Sequence, residues 1–171
     1  MAEQKVHKPI ARTDEPKDIR PADLDEIDRR LLTLLHSDAR TSNSALADAV
    51  GIAPSTCHGR VRRLQDLGVI RGFHAEIDPA AIGLPLQAMV SVSLRSGSRG
   101  KIRTFIQQIR SKPQVIDVYF LAGADDFLIH VAARDTDDLR SFVVDNLNAD
   151  ADVAGTQTSL IFEHLRGGAP L

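Results

Sequence analysis

The sequence predicts an α+β chain: an N-terminal winged helix–turn–helix followed by a C-terminal ferredoxin-like βαββαβ sandwich. Three observations predict it. Ser44 to Ile70 reads short helix, turn, second helix, with Gly51 at the turn and Arg60, Arg62 and Arg63 on the second helix. No acid occurs between Pro54 and Gln65. The second half repeats itself: Ile102-Arg103-Thr104-Phe105-Ile106 matches Leu139-Arg140-Ser141-Phe142-Val143, each in a helical pattern with an apolar strand pattern before and after it.

The chain has 171 residues, enough for two small domains, and 43% of them are apolar. Lys and Arg number 21 against 23 Asp and Glu, so the positive charge is local. No apolar run reaches the roughly 18 residues that span a bilayer. The start, Met1-Ala2-Glu3-Gln4-Lys5, lacks an apolar export core. Cys57 is the only cysteine. A cytoplasmic protein with no membrane partner is therefore expected. With no Trp and one Tyr, stacking on splayed single-stranded bases is unsupported.

Residues 1–22 carry three prolines among mixed charges and read as a flexible tail. Lys5, Lys8 and Arg12 would suit a DNA-touching arm, but nearby acids favour a plain tail. The DNA-binding domain is placed at 23–77. Leu24, Ile27, Leu31, Leu34 and Leu35 follow helical spacing, with Asp23, Asp25, Glu26 and Asp28 at the positive end of the helix dipole. A second helix starts near Asn43 or Ser44, turns Leu46, Ala49 and Val50 inward, and ends at Gly51. Pro54 suits the first turn of the third helix. There Cys57, Val61 and Leu64 form the buried stripe, Ser55, Gly59 and Arg62 point away, and Gly68 ends the helix. Val69 to Ile77, with Arg71 and Gly72, reads as a strand or short hairpin, the wing. Asp78-Pro79 and Gly83-Leu84-Pro85 mark a hinge at 78–85. The second domain, 86–165, orders its elements strand (Leu86 to Leu94), helix, strand (Val115 to Leu121), strand (Phe127 to Ala133), helix, strand (Val153 to Ile161). Two helices then cover one face of a four-stranded antiparallel sheet. Val90, Val92, Val118 and Phe120 are candidates for the uncovered face. Residues 166–171 are a C-terminal tail.

Catalysis finds little support. Cys57 lies on a buried stripe, where cysteine is an inert hydrophobe. The six histidines lack ligand spacing, so no metal site is expected. Asp137-Asp138 follows Thr136 at a helix start, where capping accounts for it. Asp125-Asp126 lies in a turn beside Gly123, where a turn explains it but a glycine–acid loop also suits an amine. No phosphate-cradling glycine motif occurs, so neither an enzyme nor a cofactor is expected.

The third helix combines arginines with small residues on its outward face. Small residues admit a close backbone approach to DNA, while arginines reach phosphates or guanine edges. The predicted DNA contacts are Ser55, Thr56, His58, Gly59, Arg62, Arg63 and Arg71.

These residues together resemble the leucine-responsive/asparagine-synthesis regulator (Lrp/AsnC, feast/famine) family, over about Leu24 to Leu165. The elements that carry the resemblance are Leu24-Asp25-Glu26-Ile27-Asp28, Asp38-Ala39-Arg40, Val50-Gly51, Arg60-Val61-Arg62-Arg63-Leu64, Gly68-Val69-Ile70, Gly123-Ala124-Asp125-Asp126-Phe127 and Thr156-Gln157-Thr158. The alanine-dehydrogenase regulator branch is the nearer likeness. The resemblance implies a RAM-type sensing sandwich, a homodimer assembling to a higher oligomer such as an octamer, and a free amino-acid effector. It assigns that effector to Gly123, Ala124, Asp125, Asp126, Phe127, Thr156 and Thr158. Two positions depart from the family's usual residues: Ala53 replaces Ser before the third helix, leaving Ser55 or Thr56 to compensate, and Phe127 replaces Tyr. The reading is a sequence-specific regulator of transcription that binds double-stranded DNA and responds to a free amino acid. The alternatives are an architectural DNA-bending protein without effector, and a small-molecule-binding sandwich carrying an interaction module.

Overall fold

In the computed structural model, residues 24–165 are described; the expected tails lie outside them. The chain divides into two compact units, the first running to Ala75 and the second beginning at Glu76.

The first unit is three helices: α1 (Glu26–Ser37), α2 (Asn43–Val50) and α3 (Pro54–Asp66). Asp25 opens α1, its carboxylate accepting from the Asp28 backbone N–H at 2.8 Å. Ser42 caps α2 by accepting from the Ala45 N–H. Gly51 closes α2 at φ 74°, a left-handed conformation that glycine adopts without steric cost. The Ile52 N–H then donates back to the Ala47 carbonyl at 3.0 Å, which makes the turn tight. The side chain of Asn43 donates to the Pro54 carbonyl at 2.8 Å and ties the start of α2 to that of α3. Leu31, Leu35, Leu46, Ala47, Val50 and Cys57 form the core. Val69 to Ile77 departs from expectation: it contains neither strand nor hairpin, and residues 71–78 are exposed. Alternation marks a segment able to pair, but a strand also needs a neighbour for its backbone N–H and C=O groups.

The second unit is β1 (Leu86–Leu94), α4 (Ile102–Arg110), β2 (Val115–Phe120), β3 (Phe127–Ala133), α5 (Thr136–Val143) and β4 (Val153–Ile161). The strands form one antiparallel sheet in the order β2-β3-β1-β4, the expected βαββαβ sandwich. Ala88, Val90, Val92, Phe127, Ile129 and Val131 pack with Phe105 and Ile109 of α4 and Leu139 and Phe142 of α5. The sheet face therefore differs from the one expected. Val90 and Val92 are fully buried, and Val118 packs on the same cluster. Phe120 points the same way and meets Phe127 at 5.2 Å between ring centroids, although it is largely exposed. In β1 the even positions are apolar, so that row turns to the helices. The uncovered face carries Met89, Ser91, Tyr119, Leu128 and His130, linked across the strands as pairing partners and their neighbours. Asp135 rather than the following acid pair caps α5, accepting from the Asp138 N–H at 2.8 Å. A π-helical turn, Val144–Asn148, leads from α5 towards β4.

Candidate functional site

Cys57 and Leu64 of α3 are fully buried and Val61 is half-buried, which sets the side of the helix that faces the core. Ser55, Thr56, His58, Gly59, Arg62 and Arg63 are left exposed. No atom lies within 4 Å of a Cβ built on Gly59, so the backbone is open to a close approach there. Arg62 has no ion-pair partner among the described residues. Arg71 is exposed in the irregular stretch after α3. Burial pushes the Cys57 thiol up, consistent with an inert core residue.

Arg60 and Arg63 turn towards α1. Arg60 Nη1 lies 2.6 Å from Asp25 Oδ2 and 2.9 Å from Asp28 Oδ1. Arg63 Nη1 lies 3.1 Å from Asp28 Oδ2. The Asp28 side chain is 2% exposed, so a carboxylate removed from water is bridged by two guanidinium groups. The Asp28 N–H and then Arg60 hold the Asp25 carboxyl below its ordinary range. Sequence reading assigned these acids to the helix dipole alone. The missed signal was a matched spacing, Asp25 and Asp28 three apart on α1 and Arg60 and Arg63 three apart on α3. Ala53 has no side-chain cap bond, and no bond from Ser55 or Thr56 replaces one among the described residues.

In the second unit, Gly123 and Ala124 are exposed in the bend between β2 and β3. Gly123 has no positive φ, and nothing lies within 4 Å of a Cβ built on it, so the backbone does not require glycine there. Asp125 Oδ1 accepts from the Ser93 hydroxyl at 3.1 Å, and Asp126 Oδ2 from the Leu94 N–H at 2.7 Å. Both acids thus brace the end of β1 with one oxygen and keep a second. Phe127 is fully buried, 5.0 Å from Phe105 between ring centroids, and serves the core. Val92 pairs with Phe127 on one side and Thr156 on the other. The acid loop and Thr156 therefore lie two strand spacings apart, about 10 Å, at one end of the sheet. The Thr156 hydroxyl donates to Asn148 Oδ1 at 3.0 Å; Thr158 is exposed one step further along. Cavities of about 390 and 260 Å³ lie along α4, and neither is lined by the loop or by these threonines. Among the described residues no group of three His, Cys, Asp or Glu side chains is placed to hold a metal ion.

A three-helix unit with an exposed, arginine-bearing third helix, joined to a βαββαβ sandwich, defines a helix–turn–helix regulator with a separate sensing domain. Residues 24–65 match the AsnC-type helix-turn-helix domain, and residues 87–170 match the Lrp/AsnC ligand binding domain. The chain belongs to the Lrp/AsnC family of transcriptional regulators. It is 74% identical to the HTH-type transcriptional regulator AldR of Mycobacterium tuberculosis, over 100% of this chain and 96% of that protein. It is 76% identical to AldR of Mycolicibacterium smegmatis, over 91% of each. The crystal structure of MtbAldR superposes with a TM-score of 0.76 at 76% identity, covering 88% of this chain and 100% of that one. That of the Neisseria meningitidis regulator NMB0573 in complex with L-Met gives 0.78 at 29% identity, covering 86% and 96%. The chain is accordingly a DNA-binding transcriptional regulator with a ligand-binding domain, and not an enzyme. Among the described residues no helix is long and apolar enough to cross a membrane.

Proposed function

We propose that α3 enters the major groove of double-stranded DNA in the cytoplasm, with Ser55, Thr56, His58 and Gly59 against the backbone or base edges and Arg62 reading a base. Arg63, half-exposed beside Asp28, lies on the same side for a phosphate contact, and Arg71 reaches a flanking phosphate. The observation that carries this is the outward row Ser55, Gly59 and Arg62, exposed opposite the buried Cys57 and Leu64. Arg62→Ala is expected to weaken duplex binding by about 1–3 kcal/mol and relax specificity while the fold persists. Fluorescence anisotropy on a duplex selected from a random library tests it; wild-type affinity would move the contact off this helix face.

The domain boundaries follow the same reading: DNA binding at 23–77, a hinge at 78–85, sensing and assembly at 86–165. A free amino acid is the effector, met at Gly123 to Phe127 with Thr156 and Thr158. The second oxygens of Asp125 and Asp126 accept from its ammonium group, and loop N–H groups donate to its carboxylate. Phe127 supports the loop from beneath. Neither of the two cavities along α4 is lined by these residues, which supports a site completed by a second dimer in a higher oligomer, an octamer by family likeness. The L-Met complex of the Neisseria regulator supports the effector class. Gly123→Thr is expected to abolish the effector response without unfolding, since the introduced side chain fills only ligand space. Asp125→Asn, which spares the Leu94 contact, is expected to weaken ammonium binding. Calorimetry with the twenty amino acids decides: wild-type affinity in both variants removes the loop from the site.

A further inference from the structure

Asp28 is the only fully buried carboxylate among the described residues, at 1% exposure. A buried charge persists when it is paired and hydrogen-bonded. Here each oxygen has its own guanidinium: Oδ1 takes Arg60 at 2.9 Å and Oδ2 takes Arg63 at 3.1 Å. The Arg60 Nη1 also reaches Asp25 Oδ2 at 2.6 Å. The two arginines stand one turn apart on α3, and the two acids one turn apart on α1. Added to the buried stripe and the Asn43 tie, a single polar contact would restrain the rotation of α3 less than two contacts one turn apart, which hold both its rotation and its sliding.

That rotation is what a groove-reading helix must control. Turning α3 by about 20° moves a side-chain tip at about 5–6 Å from the axis by about 2 Å. A hydrogen bond to a base edge does not survive such a shift. The hydrophobic stripe sets which side of α3 faces the core but restrains its rotation less finely, because Leu64 is its one large fully buried side chain, Cys57 is small and Val61 is only half-buried. Arg60 meanwhile is surrounded by two carboxylates, so its charge is already balanced within the protein and has little left for a phosphate.

We propose that Asp28 and Arg60 are positioning residues for sequence recognition: with Arg63 they fix the rotation of α3, and Arg60 does so without touching DNA. The inference rests on α3 being the helix that reads the groove. It separates two arginines that look equivalent in sequence. Arg62 is a contact and Arg60 a brace.

The test uses the full chain and two probes, a 30-bp duplex selected from a random library by the wild-type protein and poly(dI·dC). Affinities are measured by anisotropy over a series of KCl concentrations, at a temperature where circular dichroism shows every variant folded. Arg60→Gln, Arg60→Lys and Asp28→Asn are each expected to reduce the ratio of selected to non-selected affinity by about tenfold or more, the scale of a lost base contact. The slope of log K against log[KCl] stays at the wild-type value in Arg60→Gln. A slope reduced by about 0.9 with both probes weakened alike would make Arg60 a phosphate contact and overturn the proposal. So would an unchanged affinity ratio in folded Arg60→Lys, which would leave the clasp a stability element only. Should Asp28→Asn fail to fold, Arg60→Lys, which keeps the charge but withdraws the guanidinium whose Nη1 both carboxylates share, carries the decision. Arg62→Ala measured alongside reports on the groove-reading assignment alone, so the two failures are distinguishable.

Discussion

His130 stands on the uncovered sheet face yet is nearly buried, at 6% exposure. In the tautomer with hydrogen on Nε2 it donates to Gln87 Oε1 at 3.0 Å, and Nδ1 lies 3.8 Å from Asp117 Oδ2. The His164 ring meets it edge-on at 6.4 Å between centroids. Burial pulls its pKa below 6.5; Asp117 opposes the shift and His164 adds to it. The unfolded chain then binds the proton more readily than the folded one. Stability from this residue is present above pH 6.5 and declines as pH falls from there towards the folded pKa. The aspartates whose pKa is depressed, Asp25, Asp138 and Asp152, lose their contributions only below 3.8, outside this window. His130→Gln is therefore expected to flatten the fall in urea midpoint between pH 7 and pH 5. An identical fall in variant and wild type would discard the assignment. The position of His130 in β3 could be read from the sequence. Its burial could not, because its partners come from three other segments.

Among the elements, α3 has the least conventional start. Ala53 offers no oxygen to the first-turn N–H groups, although its backbone, at φ −66° and ψ 144°, has the extended form of a capping residue. Pro54 at the first helical position removes one donor that would otherwise need a partner, and the Asn43 side chain anchors its carbonyl. The Thr56 N–H remains the natural donor for a cap. Ala53→Ser should stabilise the first unit by about 1 kcal/mol, read as a higher midpoint in chemical denaturation. A midpoint unchanged by the substitution would mean that this end is already satisfied by solvent. The missing cap was visible in the sequence, since a capping residue is local to its helix. The missing wing was not: Val69 to Ile77 has a pattern compatible with a strand, and among the described residues of the unit no strand is present to pair with it.

On the scale of the whole molecule, one sheet face is packed under two helices and the other is not. Met89 and Leu128 are half-buried there, and Tyr119 is 46% exposed. A mixed face of this kind is suited to a second copy of the same sheet. At least a dimer is expected in sedimentation velocity at micromolar concentration, and the segment from Leu86 onward should retain it. Tyr119→Lys combined with Met89→Lys should shift the population to monomer with the circular dichroism of the wild type. A wild-type monomer would refute this assembly, and an undisturbed dimer in the double variant would place the interface elsewhere. The sequence assigned the open face to Val90 and Val92; the packed core contains them instead.

The sequence by itself determined the three helices of the first unit, the βαββαβ elements of the second, their order and the family of the chain. Each helical or strand period, the Gly51 turn and each of the repeated Ile102 and Leu139 helices is written in a short contiguous stretch, and local pattern encodes it. It also singled out the residues proposed for DNA and effector contact, because glycine, acid and arginine clusters are contiguous. Only the tertiary structure decided what each charged side chain faces. The Arg60 contacts join residues 32 and 35 positions apart, and the Asp126 bond to Leu94 spans 32. No period links such positions. Arg60, Arg62 and Arg63 are equivalent as letters, and the packing of α3 on α1 separates them: burial of Cys57 and Leu64 turns Arg60 inward onto Asp28 and leaves Arg62 in solvent.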